Sequence, residues 1–392
     1  MRSHPTHSVC PGALPVYRAL RGAGTRAASD RGATSGIPGI DMWVRGVNWF
    51  AVAKVEKRTT IVDVARDAGV SYKTVSRVLN GEPHVKPDLQ KRVLEAAKRL
   101  NYHPNLLAQG LVSRRSYLIG LVYENPSASY VVELQKGVLD RLSSERYRLV
   151  VIPVRSISEH AGEVVGLLRS AALDGVVLAP PASDHPVILE GLRATGMPFA
   201  RIAPTRLLDI GPNNLIDDVA AARETAAYII GLGHRAIAII KGDATHHSSE
   251  ARLIGYSQAF AAAKLELRLD WIEQGDFTFD SGYAAAKTLL SGAARPTAIL
   301  AQNDDMAVGV LMAARDLGLS VPGDVSITGF DDAEVSRIVW PRLTTVQQPV
   351  FDMAASSADM LLTQLTGDEP IHDRMHAHKL IIRESAGPPP PT

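Results

Sequence analysis

At 392 residues the chain is too long for one typical domain, and its 46% hydrophobic content is enough for a sizeable core. Cys10 is the single cysteine, which excludes an internal disulfide and a thiolate metal cluster and fits a reducing compartment, and no uninterrupted apolar run approaches the ~20 residues of a membrane span. The net charge of +1 hides an asymmetry: residues 57–115 carry 12 Lys/Arg against 5 Asp/Glu, and residues 116–392 carry 23 against 33, so a basic segment precedes an acidic body, as suits a protein that meets phosphate at one end only.

Residues 1–56 are rich in Gly, Ser, Ala, Pro and Arg and show no sustained periodicity, so disorder is expected there. Their early part is Arg-rich and acid-poor, in the manner of a transit peptide. Trp43, Trp49 and Phe50 are too sparse to build a core.

Residues 60–80 read as two short amphipathic helices joined by a tight turn. Ile61, Val64, Ala65 and Ala68 repeat at helical spacing. Gly69 supplies a left-handed end to the first helix, and Ser71 supplies a cap for the second. Val75, Val78 and Leu79 then point inward, which leaves Tyr72, Lys73, Ser76 and Arg77 on the free face. Such a face fits a DNA major groove, where Arg and Lys donate to guanine and hydroxyls reach phosphates or base edges. A helical hairpin with a solvated polar face would show the same pattern.

The run Thr60-Ile-Val-Asp-Val-Ala-Arg-Asp-Ala-Gly-Val-Ser-Tyr-Lys-Thr-Val-Ser-Arg-Val-Leu-Asn80 closely resembles the signature of the LacI/GalR family of transcriptional regulators, with every fixed position in register. The resemblance extends from about residue 57 to residue 385. It implies a homodimer whose heads read half-sites of a near-palindromic operator, with Tyr72, Lys73 and Arg77 contacting bases. Thr60, Ser71, Thr74, Ser76, Asn80 and Tyr102 would hold the DNA backbone. The family begins a few residues before the position of Thr60. The resemblance therefore implies a start downstream of the first residue, at Met42 or nearby, with a flexible extension as the alternative.

Pro87 opens a third helix that runs to about Leu100, with Val93, Ala97 and Leu100 inward and Lys91, Arg92, Lys98 and Arg99 making it basic. The three helices make a DNA-binding domain over 57–103. Residues 104–116 form a linker: Pro104 stops the third helix, Asn105 can cap a short one from Leu106 to about Val112, and Gly110 weakens it by about 1 kcal/mol relative to Ala. Read alone, this is a flexible connector. The resemblance implies a hinge helix that orders on operator DNA, with Leu111 wedged into the minor groove to kink the duplex. Many members have Ala-Arg-Ser-Leu where this chain has Ala108-Gln109-Gly110-Leu111.

From Tyr117 the pattern alternates apolar strands with amphipathic helices. Strands are expected at Leu118–Val122, Leu149–Val154, Gly175–Ala179, Phe199–Ala203, Ala236–Ile240, Ala298–Ala301 and Val325–Thr328. That alternation argues for parallel sheets covered on both faces, here two doubly wound subdomains with a cleft at the strand C-terminal ends. The resemblance implies the same periplasmic-binding-protein-like core. It places an N-subdomain at 117–232 and 347–376, a C-subdomain at 233–346 and 377–385, and a Pro-rich tail at 386–392.

Enzyme signatures are missing. The first strand ends in Tyr123-Glu124-Asn125-Pro126 rather than a Gly-x-Gly-x-x-Gly turn, and neither a phosphate-binding loop nor a Gly-x-Ser-x-Gly elbow occurs. His246-His247 has no second group at metal-ligand spacing, so no metal or cofactor is expected. An extracytoplasmic sugar-binding protein would share the core fold but would carry no DNA-binding head. A cytoplasmic regulator at the bacterial nucleoid is the reading that uses the whole chain.

Sugar recognition needs planar donors and acceptors plus an aromatic face. The resemblance implies that Arg252 grips the effector, that Asn303 or Asp304 and Asp331 reach it from strand ends, and that Phe277 and Tyr130 stack on it. Glu124 and Asn125 replace a common Pro-Asp pair on the first wall and favour a neutral polyhydroxylated ligand over a purine. Each residue has a plainer alternative: Asp304 and Asp331 as helix caps, Phe277 and Tyr130 as core, and Arg252 paired with Glu250.

Overall fold

The computed structural model describes residues 59–80, 85–103, 115–124, 127–367 and 370–391. The expected extension at 1–56, the wedge Leu111 and the wall residue Asn125 therefore lie outside the described residues. The chain divides into two compact units between Tyr102 and His103, each described by itself.

The first unit holds α1 (Ile61–Ala68), α2 (Tyr72–Leu79) and α3 (Pro87–Arg99). Local chemistry sets their ends. Thr60 and Asp63 form a reciprocal capping box, with the Thr60 amide donating to the Asp63 carboxylate at 3.0 Å. Gly69 takes φ 63°, where only glycine is comfortable, and turns the chain toward α2. The Ser71 hydroxyl accepts from the Thr74 amide at 3.1 Å and starts α2. Val64, Ala65, Ala68, Val75, Val93, Ala96 and Ala97 form the core. So small a core is braced at its rim: Arg92 donates to the Ala68 carbonyl at 2.6 Å, and Arg99 pairs with Asp67 at 2.5 Å.

The second unit contains two parallel sheets. In one, β1 (Leu118–Glu124), β2 (Arg148–Val154), β3 (Gly175–Leu178), β4 (Phe199–Ile202), β5 (Asn213–Ile216) and β11 (Arg374–His376) lie in the order β11-β5-β4-β3-β1-β2. The crossovers α4 (Ala128–Leu142), α5 (Ile157–Ser170) and α6 (Pro186–Thr195), joined by α12 (Val350–Thr366), cover it on both faces. In the other, β6 (Ile237–Lys241), β7 (Ile272–Gln274), β8 (Ala298–Ala301) and β9 (Ser326–Thr328) run in the order β7-β6-β8-β9. They pack against α7 (Asp218–Gly231), α8 (His247–Ala262), α9 (Phe279–Leu290) and α10 (Asp304–Asp316). A short antiparallel pair, β10 (Thr345–Gln347) with β12 (Lys379–Ile381), lies where the chain passes between the sheets.

Two boundaries move from where the sequence placed them. Ala222, Ala226 and Ile229 of α7 pack with Ile237, Tyr256 and Phe260 of the second sheet's core, so the chain first crosses before Asp218 rather than near Gly233. The residues after 385 are docked at their start. The Gly387 amide donates to Ser326 Oγ at 3.0 Å, and its carbonyl lies 2.8 Å from His234 Nε2. Among the described residues, no helix is long and apolar enough to cross a membrane.

Candidate functional site

Tyr72, Lys73 and Arg77 are exposed together on α2, while Val75 on the opposite side is fully buried. The hydroxyls of Ser71 and Thr74 lie 3.0 Å apart, and Asn80 Nδ2 donates to Ser76 Oγ at 3.3 Å. Thr60 and Ser71 are exposed beside their helix ends, and Thr74, Ser76 and Asn80 are half-buried. Tyr102 packs on the rim of the small core, and burial raises its hydroxyl pKa. Ser71 with Thr74, and Ser76 with Asn80, thus orient each other along a helix whose opposite side is a buried apolar anchor.

The second unit holds a cleft at the C-terminal ends of both sheets. Glu124, Tyr130, Arg252, Phe277, Asn303 and Asp331 line it, which brings together six of the eight residues expected there. Ser127, Asp218, His246, Ser248 and Gln348 also line it and were not anticipated as ligand contacts.

Each wall has a local cause. Glu124 ends β1, and its carboxylate accepts from the Ile157 amide at 2.6 Å, at the positive N-terminus of α5. Phe277 follows β7 at φ 66°, its ring edge-on to His246 at 5.4 Å. The ring can lie there because residue 242 is glycine: a Cβ at Gly242 would sit 2.0 Å from it. Asn303 caps α10, accepting from the Met306 amide at 3.0 Å and donating to the Phe277 carbonyl at 2.8 Å, so it ties two walls together.

Arg252 is buried, and three of its five N–H groups are engaged within the protein. Nε donates to Asp218 at 2.8 Å, one terminal nitrogen donates to the Gln302 carbonyl at 2.5 Å, and the other lies 3.4 Å from Gln348 Oε1. Its guanidinium stacks 3.6 Å from the centre of the Phe330 ring. Burial works against its charge, but the carboxylates of Asp218 and Asp331 outweigh that penalty and raise its pKa. Asp218, not the alternative Glu250, is its partner.

Asp304 does not reach the cleft. It is fully buried at the first turn of α10, where it accepts from the Thr345 hydroxyl at 2.6 Å and the Ala333 amide at 2.8 Å. It anchors the loop beneath the floor, and burial together with the charge of Asp331 raises its pKa well above the usual carboxylate range. The cap of α10 is its neighbour Asn303, and Asp331 caps no helix.

Asp331 stands on that loop at φ 110°, its amide bonded to the Val346 carbonyl at 2.8 Å. Burial pushes its carboxyl up to about 7, against the pull of Arg252. A carboxyl raised on folding holds an extra proton in the native state, so its ionisation opposes folding. Stability should therefore fall as pH rises from about 4 to about 7. Asp331→Asn should flatten that part of the unfolding midpoint against pH; an unaltered slope would show that Asp331 titrates normally.

Among the described residues, no three His, Cys, Asp or Glu side chains converge as a metal site. His246 precedes α8 with its ring turned to Asp243 and Phe277, and His247 begins the helix.

Two family models match the chain: bacterial regulatory proteins of the lacI family over residues 60–105, and a periplasmic binding protein-like domain over 226–386. Catabolite control protein A of Priestia megaterium is 34% identical, covering 83% of this chain and 98% of its own. A lac repressor dimer bound to operator and the anti-inducer ONPF superposes with a TM-score of 0.75 at 29% identity, over 84% of this chain and 100% of its own. A complex of the transcriptional regulator CelR with cellobiose gives 0.63 at 32% identity over the same shares.

Proposed function

The chain belongs to the lacI family of bacterial transcriptional regulators, and from that premise we propose a homodimeric repressor that releases or grips its operator according to a sugar held in the cleft. The observation that carries the reading is the pairing of an exposed Tyr72/Lys73/Arg77 face with a cleft built around an anchored guanidinium and two aromatic rings. Its close relatives are regulators, and the cleft is read as a binding site without turnover. The protein would work in the cytoplasm, on chromosomal DNA.

On DNA, Tyr72, Lys73 and Arg77 read base edges in the major groove. Thr60, Ser71, Thr74, Ser76, Asn80 and Tyr102 fix the register against the backbone, and Leu111 wedges the minor groove. Arg77→Ala should cost about 1–3 kcal/mol at one operator position and relax its specificity there. A binding-site selection on the variant reads this out; equal weakening at every sequence would make Arg77 a phosphate contact.

In the cleft, Tyr130 and Phe277 offer faces to the apolar side of a ring, and Asn303, Asp331 and Arg252 address its hydroxyls. Dimerisation is supported by the likeness to a lac repressor dimer, and we assign to its interface the exposed apolar side chains Ile338 and Trp340, in and just beyond α11 (Glu334–Ile338), Trp340 being 78% exposed. Trp340→Glu should shift sedimentation toward monomer and weaken operator binding by more than tenfold, since two heads share one site; an unchanged dimer would move the interface elsewhere.

A further inference from the structure

The cleft contains one cation that is charged at every relevant pH, and its charge is already balanced by Asp218. Arg252 gives Nε to Asp218, a second nitrogen to the Gln302 carbonyl and the third to Gln348, and it lays its face on Phe330. His246 is committed sideways, its Nδ1 3.9 Å from Asp243 and its ring edge-on to Phe277. The carboxylates are not balanced in the same way. Asp218 is neutralised by Arg252, and Glu124 is turned to the start of α5. Among the described residues, no donor hydrogen-bonds the Asp331 carboxylate, although it lines the cleft.

Helix N-termini act in the opposite direction, since α4, α7, α8 and α10 all begin beside the cleft and such ends favour anions. Three of them are already capped by their own chain: Ser127 accepts from the Tyr130 amide, Asp217 from the Ala220 amide, and Asn303 from the Met306 amide. Only α8 lacks a side-chain cap, and there Ser248 offers a hydroxyl rather than a charge.

We propose that this cleft selects by charge: it takes a neutral or amine-bearing sugar and turns away sugar acids and sugar phosphates, with Asp331 as the residue that discriminates. The inference rests on the sugar reading above and narrows it. A ligand carboxylate beside Asp331 must either meet its charge or force it to take up a proton; with the carboxyl at about 7, the second route costs about 100-fold in affinity at pH 9 and about twofold at pH 7. An ammonium at the same place meets an attraction.

The test is calorimetric titration of the full chain, at pH 9 and again at pH 7, with matched sets that share one skeleton: glucose, glucosamine, glucuronate and glucose 6-phosphate, then the corresponding galacto and manno sets and the cellobiose and lactose disaccharides with their aldonic acids. The expected result is binding of neutral or amino members, with their acidic partners about 100-fold weaker at pH 9 and the ratio shrinking toward pH 7. Asp331→Asn, close in shape and tolerant of positive φ, should narrow that ratio at least tenfold at pH 9, read within each set whatever the variant does to the absolute affinities. A sugar acid or phosphate that binds as well as its neutral partner overturns the inference while leaving the sugar reading intact. So does a ratio unmoved by Asp331→Asn. If no member of any set binds, the sugar reading fails and the inference with it.

Discussion

Arg252→Ala should abolish the response to effector and cost the second unit about 3–5 kcal/mol, because it leaves Asp218 buried without its counter-charge. Thermal unfolding should show a drop on the order of 10 °C. The loss of stability and the loss of response are separable. Combining Arg252→Met with Asp218→Asn removes both charges and should recover much of the stability, yet it leaves the cleft without a guanidinium, so the response should stay lost. Operator affinity measured below the unfolding temperature should survive in both variants, since the head folds on its own core. An Arg252→Ala protein that still answers the effector would reduce Arg252 to a structural strut.

Arg201→Ala should be at least as damaging, although Arg201 is absent from the cleft lining. It is fully buried at the end of β4, and its five N–H groups reach six acceptors: the carbonyls of Ser183, Arg206, Leu207 and Ile210, Asn213 Oδ1 and Asp184. Asp184 in turn accepts from the amides of Thr205 and Arg206. The guanidinium therefore holds closed the loop that follows Ala203, a cleft residue. Its removal leaves a buried carboxylate and several carbonyls unsatisfied, a cost above about 4 kcal/mol. Arg201→Lys should fail to rescue, since an ammonium has three donors and no fork. The urea midpoint and amide exchange over residues 203–212 read this out. A variant as stable as wild type would mean that the loop closes by other means.

Neither Arg201 nor Asp218 could be found from sequence pattern, and the reason is physical. A fully buried arginine looks like any arginine on an apolar strand until its carbonyl acceptors are placed around it, and those come from a loop with no periodicity. Asp218 follows Asn213–Ile216, a strand half of whose residues are asparagine, so the strand and the cleft residue beyond it were overlooked together. Gln348 was missed for the same cause, since it follows the three-residue strand Thr345–Gln347. The long apolar strands were legible: Leu118–Glu124, Arg148–Val154 and Ala298–Ala301 lie within two residues of their expected limits. In the head, Gly69 and Ser71 are legible as the end of the first helix and the cap of the second, whereas the Thr60–Asp63 capping box is not read from the sequence.

Asp304 shows the limit of reading a site from a motif. Two adjacent polar residues after a strand, Asn303 and Asp304, look equally able to reach a ligand. Asn303 is the cap, with extended backbone, and Asp304 is the first helical residue, so their side chains diverge: Asn303 faces the cleft while Asp304 faces the loop beneath it. Sequence supplies the pair; only the helix start decides which member is which.

The central claim is that occupation of the cleft changes the grip of the head on DNA. Its most direct test is operator affinity for the full chain, by fluorescence anisotropy on a site obtained from a genomic footprint, with and without each sugar of the matched sets at saturation, in wild type and in the Arg252→Met/Asp218→Asn protein. The expected result is a 5- to 150-fold change in operator Kd, as a coupling of about 1–3 kcal/mol gives, for at least one neutral or amino sugar in wild type and none in the variant. An operator Kd unmoved by every sugar, or moved equally in both proteins, would contradict it.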